Sequence, residues 1–98
     1  LELLLFSGRH ETPNNLLSWT TASEKNTSRF NIERSADGLD FETIGTVLAA
    51  GNSTTIKSYA FIDTKPFFGD NLYRLKMIDA DETFTYSKLI SIKVNLGN

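Results

Sequence analysis

Apolar and polar residues alternate along most of this chain, and turn-forming residues interrupt the alternation at short intervals. Period-two patterning places successive side chains on opposite faces of an extended strand, so the sequence predicts an all-β fold. A first strand is expected over Leu3–Arg9, and Thr12-Pro13-Asn14-Asn15 turns into a second over Leu16–Thr21, where Leu17 and Trp19 share one face. The polar stretch Ala22–Ser28 reads as a loop. Arg29–Ser35 follows with Phe30 and Ile32 pointing inward, and Ala36-Asp37-Gly38-Leu39-Asp40 closes a turn, since Asp-Gly supplies positive φ. In Phe41–Leu48 the spacing of Phe41, Ile44 and Val47 breaks alternation and predicts a bulge. Ala49–Thr55 is expected to be a mobile loop. The next strand, Ile56–Ile62, carries Tyr59 and Phe61 on one face, and Asp63-Thr64-Lys65-Pro66 ends it. Leu72–Ile78 sorts Tyr73, Leu75 and Met77 from Arg74 and Lys76, and Phe84–Val94 is expected to bring Tyr86, Ile90, Ile92 and Val94 inward.

Seven strands of this kind are best buried as an antiparallel β-sandwich of two face-packed sheets. The first, second and fifth strands are expected in one sheet and the other four in the second. Trp19, Phe30, Ile32, Tyr59, Phe61, Tyr73 and Leu75 are the expected core, with Trp19 meeting Tyr73 and Leu75 across the interface. The 98 residues make one domain, its core spanning 3–94 with 95–98 as a trailing linker. The opening Leu1-Glu2-Leu3-Leu4-Leu5-Phe6 is too short an apolar run for a secretion signal, and it contains Glu2. No run approaches the roughly 20 apolar residues of a membrane helix, so membrane insertion is not expected.

A net charge of −2 argues against nucleic acid or an anionic membrane as partner, since both need a basic patch. Absence of cysteine excludes a disulfide framework, thiolate zinc sites and a thiol nucleophile. With His10 as the single histidine, neither a multi-histidine metal site nor a histidine-dependent triad is expected within the chain, and His10 reads as a surface residue at the end of the first strand. No cofactor, metal or catalytic residue is expected, and the isolated domain is expected to be a monomer.

Arg34 shares parity with Phe30 and Ile32, so it should face partly inward and need a carboxylate, for which Glu24 is the expected partner. A glycosidase-like acid would need a second carboxylate across a cleft. A charge-assisted bond pinning a loop needs only the pair, and is preferred because a small sandwich offers no obvious cleft. Asp79, Asp81 and Glu82 form a weak calcium candidate, though acidic residues also favour turns by accepting backbone N–H bonds. Asp63 is expected to accept backbone bonds at its corner, and Tyr73 to make a tyrosine-corner bond. Phe67-Phe68 either forms an exposed platform for a glycan or protein partner or plugs the sandwich end, with at least one ring expected to plug.

Read as text, several segments carry a family signature. Leu17-Ser18-Trp19-Thr20-Thr21-Ala22-Ser23-Glu24 resembles "LxWTTASE", and Phe30 to Phe41 resembles "FxIERSxDGxxF". Asp63, Asn71-Leu72-Tyr73-Arg74-Leu75-Lys76-Met77-Ile78-Asp79 and Tyr86-Ser87 resemble "D…NYYRLKxxDxDGxxxYS". Together these resemble the fibronectin type III-like module near the C-terminus of secreted Bacteroidetes proteins, which commonly precedes a sorting domain read by the type IX secretion system. The resemblance runs from about Leu3 to Val94. It implies a fibronectin-like sandwich, an exported or cell-surface parent protein, neighbouring domains as partners, and no catalytic residues. Two positions depart from the pattern: Leu72 stands where a first Tyr is common, and Glu82 replaces a glycine, which suggests a differently shaped loop.

Overall fold

A computed structural model describes residues 1–95 and resolves the alternation into eight strands. They are β1 (Glu2–Glu11), β2 (Asn14–Ser23), β3 (Thr27–Ser35), β4 (Glu42–Leu48), β5 (Lys57–Asp63), β6 (Gly69–Asp79), β7 (Phe84–Tyr86) and β8 (Ile90–Val94). Every pairing is antiparallel. One sheet runs β1-β2-β5; the other runs β4-β3-β6, with β7 and β8 both on the far side of β6. Among the described residues no helix is long and apolar enough to cross a membrane.

The expected seventh strand is two strands, and one serine accounts for the split. Ser87 Oγ accepts the Leu75 N–H at 2.8 Å while its own N–H reaches the Leu75 carbonyl at 2.9 Å. The side chain takes a ladder position, and an extra residue enters. Lys76 pairs with Tyr86, yet Tyr73 pairs with Ile90, so the register moves by one residue across the break. Because side chains alternate, one inserted residue reverses parity. Tyr86, expected inside, therefore lies exposed, while Ile92 and Val94 are buried.

The irregularity expected near Ile44 is present: Ile32 pairs with Gly45 and Glu33 with Thr43, leaving Ile44 as the extra residue. Segment 49–55 was expected to be mobile, but the structure ties it back. Gly51 O accepts the Thr27 N–H, and Ser53 and Glu24 exchange two backbone bonds.

The dry interior takes Phe6, Leu17 and Trp19 from the first sheet and Phe30, Ile32, Tyr73, Leu75 and Ile92 from the second. Trp19 stacks on Tyr59 with centroids 5.8 Å apart, and meets Phe6 and Phe30 edge-on at 6.3 and 5.5 Å. Tyr73 and Leu75 share this cluster, but the rings around the indole are these three. Tyr59 and Phe61, expected in the core, are only partly buried, because β5 is an edge strand and its side chains close the sandwich laterally. Phe61 crosses to the second sheet over Gly45, where any Cβ would collide with its ring.

The ends of the described chain lie far apart. Leu1 sits beside Met77, Asp79 and Thr83 at the C-terminal end of β6, while Val94 pairs with Gly69 at its start. The molecule measures 44 × 25 × 18 Å.

Candidate functional site

Parity along β3 turns Arg34 inward at the strand's last turn of pleat, where β5 ends and β6 begins. Its guanidinium meets Asp63, whose two oxygens lie 3.1 and 3.0 Å from Nη1. Nη1 also donates to the Lys65 carbonyl at 2.8 Å, and Nη2 donates to Glu42 at 2.8 Å. The side chains of Arg34 and Asp63 are 9% and 5% exposed, so this is a buried ion pair. Burial disfavours the charged guanidinium, but hydrogen bonds to Glu42 and Asp63 more than offset it and raise its pKa.

The network continues inward. Tyr73 donates its hydroxyl proton to Asp63 Oδ2 at 2.6 Å and accepts from Asn15 Nδ2 at 2.8 Å. Burial, and then the bond to Asp63, push the Tyr73 phenol up. Asn15 in turn meets His10 Nδ1 at 2.7 Å. The tyrosine-corner bond expected of Tyr73 thus goes to a side chain rather than to the backbone, because Asp63 reaches the hydroxyl first. Asp63 does take one backbone bond, from Lys65 N–H at 3.1 Å.

Glu24 is not the partner of Arg34. Glu24 precedes β3 and Arg34 lies near its far end, so more than roughly 20 Å of strand at about 3.3 Å per residue separates them. Glu24 instead accepts from the Tyr59 hydroxyl at 2.6 Å, from Thr21 Oγ1 at 2.9 Å and from Ala50 N–H at 3.0 Å. It pins segment 49–55 against the β2 end. Burial and this carboxylate together push the Tyr59 phenol up to about 12.

Two carboxylates of the weak calcium candidate have partners within the fold. Glu82 forms a two-pronged bond with Arg29, both contacts at 3.0 Å, and Asp81 turns to Thr83. Asp81 and Glu82 each find a donor within the fold, and no group of three such ligands able to hold a metal occurs among the described residues. Glu82 nevertheless adopts φ 71°, the left-handed conformation that glycine favours, so the loop keeps a glycine-like backbone.

Phe67 and Phe68 separate. Phe67 lies 4.2 Å beneath the Arg34 guanidinium and is 37% exposed; Phe68 is 73% exposed. Neither plugs the interior. Asn71 holds this turn by accepting Phe67 N–H at 2.8 Å and donating to its carbonyl at 2.9 Å. On the outer face of the larger sheet, Arg74 lies between the Phe41 and Tyr86 rings, 3.9 Å from each, and bonds Glu33 at 2.8 Å.

Sequence reasoning missed Asn15, Asn71 and Thr21, all fully buried. The signal was available: Asn15 and Thr21 share parity with Leu17 and Trp19, and Asn71 with Tyr73 and Leu75. A polar residue on a core-facing row needs a buried partner, and Tyr73 supplies one for Asn15.

In comparison with known proteins, no family model and no curated protein matches this chain. A crystal structure of the pectate lyase Pel3 from Pectobacterium carotovorum is similar, with a TM-score of 0.68 and 19% identity. The match covers 92% of this chain and 26% of that one, so this chain spans about a quarter of its length, and the likeness is one of fold.

Proposed function

We propose that this chain is a non-catalytic spacer and interaction module of fibronectin type III-like architecture, belonging to a larger secreted or cell-surface bacterial protein. The observation that carries the reading is the placement of Leu1 and Asn95 by opposite ends of β6. A chain that enters at one end and leaves at the other converts a stable sandwich into a fixed distance between its neighbours. The use of the inward charged groups supports the same reading, because Arg34, Asp63 and Glu24 are spent on contacts within the fold. A similar fold forming about a quarter of a longer lyase chain is in keeping with a module joined to other domains.

The absence of cysteine allows a clean test. With spin labels at Glu2→Cys and Asn95→Cys, pulsed electron-electron distance measurement should return one narrow distribution, on the scale of the length of β6, roughly 36 Å at about 3.3 Å per residue. A broad or bimodal distribution would remove the rigid-spacer reading. A second reading, adhesion to glycans through exposed aromatics, draws on Phe68, Phe84 and Tyr86 at the surface. Selective binding on a glycan array, abolished by Phe67→Ala or Phe68→Ala, would favour it.

A further inference from the structure

A cup of about 350 Å³ opens at the end of the sandwich where Asn95 emerges. Pro13, Pro66, Phe68 and Val94 give it apolar walls, and His10 and Lys65 also line it. A larger trough of about 440 Å³ crosses the outer face of the smaller sheet, but Ser7, Ser18 and Ala60 line it without a directed charged group other than Arg9. The end cup differs in having both an aromatic wall and cationic or titratable groups, with no Asp or Glu in its lining.

The buried network also decides what His10 presents. Tyr73 gives its proton to Asp63, so its oxygen must accept from Asn15 Nδ2. That orientation leaves Asn15 Oδ1 for His10 Nδ1, and only a protonated Nδ1 can donate to it. His10 is thereby held in one tautomer, whose Nε2 carries a lone pair and accepts from the Thr12 hydroxyl at 3.2 Å beside the cup. Lys65 forms no ion pair among the described residues, while its backbone is locked by Asp63 and Arg34. Apolar walls, a lysine that makes no ion pair among the described residues and the absence of a carboxylate from the lining match one ligand chemistry.

We infer that this cup binds an apolar group bearing a carboxylate, its ring or branched chain against Phe68 and the two prolines and its anion towards Lys65. The chemistry is shared by a free aromatic acid and by a polypeptide C-terminus ending in an apolar residue. This inference goes beyond the spacer reading and does not depend on it.

Titration of the ¹⁵N-labelled chain with phenylacetate tests it. Saturable amide shifts are expected at Thr12, Lys65, Phe68 and Asn95, with the rest of the spectrum unchanged. Phenylacetamide and acetate should each bind at least about fivefold more weakly, and Lys65→Glu should weaken phenylacetate by at least about fivefold, the scale of one surface charge contact. Both Lys65 and Phe68 are exposed, so Lys65→Glu and Phe68→Ala should keep the native spectrum, and Phe68→Ala should lower affinity for acid and amide alike. A second arm compares N-acetyl-Ala-Phe with its C-terminal amide. Tighter binding of the free-acid peptide than of phenylacetate identifies a polypeptide terminus as the source; the reverse identifies a free acid. Equal binding of phenylacetate and phenylacetamide, or no saturable shift by about 10 mM, overturns the inference.

Discussion

At the scale of single residues, the buried end of β3 is governed by satisfaction rather than by attraction. Asp63 has four donor contacts from Arg34, Tyr73 and Lys65, so its charge is matched bond by bond. Removing one member leaves the others buried and unmatched, which is why breaking such a pair typically costs about 3–5 kcal/mol even where the intact pair adds little. Asp63→Asn keeps the shape but leaves Arg34 with Glu42, itself largely exposed, as its one charged partner among the described residues. A loss of roughly 3 kcal/mol in urea unfolding is expected. Tyr73→Phe removes one hydroxyl that serves both Asn15 and Asp63 and should cost about 1–3 kcal/mol. The double variant should cost clearly less than the sum, because both act on one network. Additive losses would show that the two contacts are independent.

Elements are shaped by where the ladders slip. β4 is held to the first sheet through few side chains, and the Gly45–Phe61 crossing is the clearest of them. Glycine serves there for its missing Cβ, not for an unusual φ. Gly45→Ala should therefore displace Phe61 or lift β4, at about 1–3 kcal/mol for overpacking. The same substitution placed in a Phe61→Ala background should be nearly neutral, since the obstructing ring is gone. Equal cost in both backgrounds, measured by thermal or denaturant unfolding, would instead assign the effect to β4 itself. The Ser87 interruption works at this scale too, because it turns Tyr86 out to stack on Arg74 and frees Ile92 to enter the core.

For the whole molecule, titration gives a window of stability with two different edges. The folded state lowers the pKa of Asp37 through backbone N–H bonds from Asp40 and Leu39, and that of Glu82 through Arg29. Groups depressed on folding contribute stability above their unfolded values, and that contribution is lost as pH falls through the folded ones. The alkaline edge has the opposite sign. Tyr59 rises from 10.0 to about 12, so between these values the unfolded chain loses a proton that the folded chain keeps. Stability should therefore hold up to about pH 10 and then fall towards pH 12. Tyr59→Phe should flatten part of that decline, and a midpoint series across this range checks it. An unchanged slope in the variant would place the alkaline loss elsewhere.

Period-two patterning, the Asp-Gly turn and the aromatic positions determined by themselves that the chain is all-β and that Trp19, Phe30, Ile32, Tyr73 and Leu75 face inward. These are local properties, since alternation is written in neighbouring residues. Only tertiary structure decided that Arg34 meets Asp63 and Glu42 while Glu24 meets Tyr59, and that Asn15 joins His10 to Tyr73. Parity states which way a side chain points but carries no information on what another strand brings opposite it. The eighth strand was hidden for the same reason: Ser87 becomes a break only when β6 offers Leu75 to its hydroxyl.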